Sequence, residues 1–269
     1  MSAPIKALLK RLIPARFRPK LRLLYNRYRY SGFSRYCPFC KAHLGRFLPV
    51  GLALPVFEQQ HIVGGGLRLD ALCPICGSVD RERLVYLYLV HRTDIFQIQA
   101  ARSRRLLHVA PELRLEKILN MSAAAEYLTA DLASSNVMVS MDITDIRFPD
   151  NSFDAIICNH VLEHVIDDRK AMSELYRVLK PGGWAIVQIP LSLKLDRTYE
   201  DNAITSESGR EEAFGQSDHV RIYARDYKDR LARTGFEVEV FNWVAEFGSS
   251  GTRFGLNPEE RVYIAKKNP

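Results

Sequence analysis

The first 57 residues contain no aspartate or glutamate; Glu58 is the first acid in the chain. Twelve Lys or Arg fall in that stretch, and the other 26 face all 31 acids, so a basic arm precedes a body of about −5. Long-range attraction to phosphate or an anionic surface therefore acts through the arm. Also lacking is any run of eighteen apolar residues, which argues against a membrane-spanning helix. Lys6, Lys10 and Arg11 interrupt the N-terminal apolar stretch and no small-residue cleavage site follows, so the expectation is a soluble, cytoplasmic protein. Neither internal repeats nor low-complexity tracts occur. With 47% apolar and 10% aromatic residues the chain is a globular one, and 269 residues give room for one α/β domain and a smaller module.

Cysteine is sparse, yet four of the five fall in matching pairs, Cys37-Pro-Phe-Cys40 and Cys73-Pro-Ile-Cys76, separated by 32 residues. A Cys-x-x-Cys turn can place two sulfurs on one ion, and four thiolates complete a tetrahedral, closed, structural Zn2+ site. A redox pair is the alternative. Cys158 ends an apolar run and reads as a small buried hydrophobe.

Three regions follow from composition: a basic amphipathic arm over 1–30, a four-cysteine zinc module with a connecting helix over 31–90, and an α/β domain over 91–269. Ile5, Leu8, Leu9, Leu12 and Ile13 have helical spacing up to Pro14. A helix is expected from Ser78, its candidate cap, to Val90. Beyond Arg105 strands are expected at 106–110, 127–130, 137–141, 153–158 and 184–189, with helices near 112–120 and 163–179. A helix near 224–234 and strands near 236–241 and 261–265 close the chain. Alternating strands and helices predict a seven-stranded, mostly parallel sheet covered on both faces, with ligands at the carboxyl ends of its strands.

The stretch Asp142-Ile-Thr-Asp-Ile-Arg-Phe-Pro-Asp-Asn-Ser-Phe-Asp-Ala-Ile-Ile-Cys-Asn-His-Val-Leu-Glu-His164 resembles class I, Rossmann-like methyltransferases that use S-adenosylmethionine (SAM). So does Leu175-Tyr-Arg-Val-Leu-Lys-Pro-Gly-Gly-Trp-Ala-Ile-Val-Gln-Ile-Pro190. The resemblance runs over roughly residues 105–265. It implies SAM as cofactor, with Asp131 on the ribose hydroxyls and Leu132 beside it. It also implies Asp142 on the adenine amine with Ile143 against the ring, and Asn159 and His160 near the methionine end. The first strand departs from the family: Leu106-Leu-His-Val-Ala-Pro-Glu112 has no glycine. His108 stands where an acid is usual, Ala110 is the small residue of the loop, and Glu112 is a candidate partner for the methionine amine.

A polar insertion over 191–218 is the natural cover for an acceptor. The run Asp218-His-Val-Arg-Ile-Tyr223 resembles methyltransferases associated with polysaccharide and lipid-linked sugar synthesis. Methyl transfer to a hydroxyl needs alignment and a base, for which His219 is the first candidate and His160 the next, with His164 behind them. Arg221 is a candidate for holding an acceptor anion. A saccharide or small-molecule acceptor is the leading expectation, with O-methylation preferred. Contact of residues 1–30 with an anionic membrane is a further expectation. An RNA methyltransferase gripping phosphates through arm and module is the second reading, and a non-catalytic SAM-fold binding protein the third.

Overall fold

The computed structural model describes residues 14–97, 104–121 and 125–269. The expected helical run at Ile5–Ile13 lies outside the described residues. Seven strands make the central sheet: β1 (Arg104–Val109), β2 (Ala125–Asp131), β3 (Val139–Ser140), β4 (Phe153–Cys158), β5 (Leu179–Ile186), β6 (Glu237–Phe241) and β7 (Val262–Lys266). Their order across the sheet is β6-β7-β5-β4-β1-β2-β3. Strand β7 runs antiparallel to both neighbours, and every other pairing is parallel. Strand order reverses between β1 and β4, which opens a crevice at their carboxyl ends.

The helices are α1 (Arg18–Arg29), α2 (Asp80–Arg92), α3 (Leu113–Met121), α4 (Asp168–Val178), α5 (Glu207–Phe214) and α6 (Tyr227–Ala232), with shorter turns between them. Side chains alternate along a strand, and the core divides accordingly. Leu106, Ile157, Ile186 and Ile264 face α2 and α3, meeting Leu84, Leu87, Leu115 and Leu119. Leu107, Ile156, Cys158 and Ala185 face the other way, onto Met172, Leu175 and Val178 of α4 and Leu231 of α6. Each such buried aliphatic side chain contributes about 2 kcal/mol. Cys158 is fully buried there, and burial pushes its thiol pKa up.

Several expected boundaries shift. Strand β3 keeps only two residues of the expected 137–141. Strand β5 begins at Leu179, so Lys180–Gly183 is an irregularity inside the strand, with Gly182 at φ +76° and a register shift between Leu179 and Trp184. Helix α2 starts at Asp80 and Ser78 does not cap it; the Glu82 carboxylate accepts from Val79 N at 2.8 Å instead. Far from being a mere connector, α2 is packed on the sheet. The expected helix over 163–179 divides into a single turn at Leu162–His164 and α4, whose cap is Asp167 accepting from Lys170 N.

The N-terminal module lies against the carboxyl edge of the sheet. Ile62–Val63 pairs antiparallel with Leu191–Ser192, Leu193 N donates to the His61 carbonyl, and Ser192 Oγ to that of Gln60. Arg83, fully buried, ties this module to the sheet domain. Its guanidinium donates to the carbonyls of Ser78, Ala71, Phe254 and Gly255 and lies 3.8 Å from the Phe47 ring centre.

Candidate functional site

The parallel register aligns Val109 with Ala130 and with Cys158, and Asp131 with Ser140. The next residues of each strand therefore emerge side by side at one edge. After β1 the chain turns sharply at Ala110, whose φ of +47° is a conformation usually left to glycine. The turn delivers Glu112 to the start of α3. Glu112 Oε1 accepts from Asn159 Nδ2 at 3.0 Å, a bond that spans the gap between the loops after β1 and β4. Its Oε2 accepts from His108 Nε2 at 2.8 Å, while the Tyr127 hydroxyl donates to His108 Nδ1 at 2.8 Å. Burial alone would raise the Glu112 pKa, but the bonds from His108 and Asn159 outweigh it, and the carboxyl is held below its usual range.

His108 is fully buried behind Glu112 with both nitrogens occupied, so in this structure Glu112 stands between it and the crevice. Ile143 is 4% exposed and packs in the core around Leu107 and Ile156. Asp131 and Asp142 stand at the edge as expected, each using one oxygen locally. Asp131 Oδ1 accepts from Ala133 N and Ser134 N, and Asp142 Oδ1 from Thr144 N and Oγ1. Leu132, beside Asp131, is 68% exposed.

Past β4, His160 has φ +55° and its amide donates to the Gln188 carbonyl at 2.7 Å. Neither of its buried ring nitrogens has a hydrogen-bond partner. Burial, aided by the charges of Arg81 and Arg68, lowers its pKa well below the ordinary value, so the ring is neutral. His219 is also buried. Burial first, then the neighbouring His164, push it down to about 4. Arg221 serves the scaffold and is not free to clamp an acceptor: it is 4% exposed, pairs with Glu200 at 2.9 Å, and donates to the carbonyls of Leu162, Val165 and Ile166.

Sequence reasoning missed Arg81, Glu163, Gln188 and Glu260. Unpartnered buried side-chain atoms among the described residues are Arg81 Nε, Asn159 Oδ1, both His160 nitrogens, Glu163 Oε2 and Gln188 Oε1. These residues surround the ends of β4 and β5, where Gln188 Nε2 also donates to Glu260 Oε1 at 2.9 Å. Natural interiors leave few such atoms, and a polar ligand or ordered water supplies the partners they need. Only three-dimensional packing brings Arg81, from α2, to this edge; its spacing in sequence carries no signal.

The four paired cysteines converge as expected. Their sulfurs all lie within 4.8 Å of one another, with Cys37–Cys76 at 3.6 Å and Cys40–Cys73 at 3.8 Å. Tetrahedral Zn–S bonds of about 2.3 Å require sulfurs about 3.8 Å apart, so the donor set fits zinc. Gly77 supports the second turn with φ +79°, and its N–H donates to the Cys73 carbonyl at 2.9 Å. Ser78 Oγ lies 3.3 Å from Cys37 Sγ and 3.2 Å from Cys76 Sγ.

Residues 92–187 match the family described as methyltransferase domain. A probable S-adenosylmethionine-dependent methyltransferase of Mycolicibacterium smegmatis is 30% identical over 115 residues, which are 43% of this chain and 38% of that protein. A demethylmenaquinone methyltransferase of Clavibacter sepedonicus is 47% identical over 49 residues, 18% of this chain and 20% of that one. This chain thus spans well under half the length of these curated relatives. Among solved structures, a phosphoethanolamine N-methyltransferase 2 of Haemonchus contortus in complex with SAM aligns with a TM-score of 0.47 and 17% identity. That alignment covers 72% of this chain and 53% of the other.

Proposed function

We propose that this chain, which carries a methyltransferase domain over residues 92–187, is a SAM-dependent methyltransferase acting on a polar, hydroxyl-bearing acceptor. The observation that carries the cofactor reading is the Glu112–Asn159 bond across the strand-order reversal, with Asp131 and Asp142 ending the next two strands. An ionised Glu112 suits the methionine ammonium, and the second oxygens of Asp131 and Asp142 suit the ribose and the adenine amine. Bound SAM supplies an electrophilic methyl group on a sulfonium leaving group.

The acceptor reading rests on the unpartnered polar atoms beside that edge. An oxygen of Gln188 and the nitrogens of His160 are satisfied by hydroxyl groups, whereas an apolar ring would leave them unpaired at about 1–3 kcal/mol each. His160, whose ring nitrogens have no hydrogen-bond partner, takes precedence over His219 as the group that receives the hydroxyl proton as oxygen attacks the methyl carbon, its free nitrogens rather than its basicity favouring it. A saccharide is the acceptor class we favour. Methylation at carbon on a quinone-type ring is the second reading, drawn from the relatives named demethylmenaquinone or ubiquinone/menaquinone methyltransferases.

Zinc on the four cysteines is part of this proposal, as a structural ion with no open position. So is peripheral contact with an anionic surface. Helix α1 has no buried residue and exposes Leu24, Tyr25 and Tyr28 beside Arg22, Arg27 and Arg29. Among the described residues no helix is long and apolar enough to cross a membrane. The test offers radiolabelled SAM with lipid-linked saccharide, demethylated quinone and RNA in parallel. Label in the saccharide that is lost in His160→Ala supports the reading. Label in quinone alone, or in RNA alone, replaces it.

A further inference from the structure

A second ligand-rich cluster lies where the 191–218 insertion returns to the sheet. Glu163 and His164 belong to the turn after β4, and His219 comes from the loop after α5. One ring nitrogen of each histidine and a Glu163 carboxylate oxygen all lie within 4.8 Å of one another. Three observations separate this group from an ordinary buried polar contact.

The first concerns Glu163. Its side chain is 2% exposed, and Oε2 has no hydrogen-bond partner. Its other oxygen lies 3.4 Å from His160 Nδ1, beyond a good hydrogen bond. A carboxylate oxygen buried in this way is costly unless a cation or a donor meets it.

The second concerns the imidazoles. They stand edge to face, 85° apart with centres 4.6 Å from each other. Asp218 Oδ2 lies 3.1 Å from His164 Nδ1, and the Phe214 backbone lies beside the His219 ring. Metal-binding histidines are commonly backed by a carboxylate or a backbone carbonyl of this kind.

The third concerns the backbone. Val220 N donates to the Glu163 carbonyl at 2.9 Å, and Arg221 Nη1 to that of Leu162 at 2.8 Å. These bonds clamp the two ligand-bearing segments together. The ligands therefore sit on braced backbone, which a coordination site needs and a mobile loop cannot give.

We propose that Glu163, His164 and His219 bind one first-row divalent cation, separate from the four-cysteine site, with Asp218 and the Phe214 carbonyl orienting the imidazoles. Two nitrogens and one oxygen suit the borderline ions, zinc, cobalt and iron among them, and differ in kind from four thiolates. Arg81 opposes a cation electrostatically, since its charge reaches Glu163 and His219, and Asp218 offsets it; burial pushes the Glu163 carboxyl up to about 8, so a bound cation takes the place of its proton. Three protein ligands leave coordination positions for water or an acceptor oxygen, and that acceptor role alone rests on the methyltransferase reading.

The test is a Co2+ titration of full-length protein whose cysteine site already holds zinc, followed by optical absorption and metal analysis. The expected result is one added cobalt per chain, with weak d–d bands and no thiolate-to-cobalt charge-transfer band. His164→Ala, at a partly exposed position, and Asp218→Asn, at an exposed one, should keep the fold by circular dichroism. Each should weaken cobalt binding about 10- to 100-fold. His61→Ala, on an exposed histidine paired with Glu259, should leave it unchanged. No added cobalt, a thiolate band, or equal binding by His164→Ala and Asp218→Asn would overturn the proposal. None of these readings uses methyl transfer, so loss of the enzymatic reading and loss of the cation site are told apart.

Discussion

Glu260 illustrates how one side chain carries the tension of this edge. It is 5% exposed and faces Asp80, Arg68 and Arg81, with Gln188 donating to it. Burial, then the Asp80 charge, push its pKa up to about 7 from an ordinary 4.5. Between those values the unfolded chain has lost the proton that the folded one keeps, so stability falls as pH rises from about 4.5 to 7 and levels off above. Glu260→Gln keeps an acceptor for Gln188 and removes the ionisation. Urea denaturation at a series of pH values should show a flatter profile in that window and a gain on the order of 2–3 kcal/mol above pH 7. An unchanged slope would mean that Glu260 ionises freely in the fold. Nothing in sequence marked this residue, because its burial depends on the 62–66 loop folding over it, with Gly64 beside its carboxylate. The paired cysteines and the edge acids were legible, since their spacing or their place after a strand is itself the chemical signal.

At the scale of elements, the turn after β1 is the most informative. A glycine-free Ala110-Pro111-Glu112 departs from the resembling family, and the structure answers the departure locally: Ala110 adopts the left-handed conformation itself. Such backbone costs an alanine about 1–2 kcal/mol. Ala110→Gly should therefore raise stability by roughly 1 kcal/mol and leave SAM affinity within about twofold, since the turn keeps its path. A destabilised variant in urea denaturation would show that the alanine methyl packs against something the turn needs. Strands β1, β4 and β5 were readable from sequence because buried parallel strands are nearly continuous apolar runs. The short β3 was overestimated for a physical reason. It is an edge strand in which only Ala130–Val139 and Asp131–Ser140 pair, so hydrophobic pattern outruns hydrogen bonding. That α2 packs on the sheet was not legible, because helix amphipathicity does not say which partner the helix meets.

For the whole molecule, buried hydrogen bonds join the cysteine module to the sheet domain. Arg83 joins Ser78 beside the cysteines to the Phe254 and Gly255 carbonyls, and Arg81, two residues earlier, reaches the polar edge. Stripping the module of zinc should lower Tm and make four thiols per chain reactive to a thiol reagent, while buried Cys158 stays protected. Four already reactive thiols in untreated, metal-analysed protein would contradict a zinc site. This coupling was illegible in sequence, because the 32 residues between the knuckles gave no clue that they cover the strand ends.

Isothermal titration of the full-length protein with SAM shows whether the edge formed by Glu112, Asn159, Asp131 and Asp142 binds the cofactor. One site of micromolar affinity is expected. Glu112→Gln should weaken it about 10- to 100-fold, the worth of a charge-assisted hydrogen bond, without lowering Tm by more than a few degrees. No heat of binding by folded wild-type protein, or equal affinity in Glu112→Gln, would contradict it.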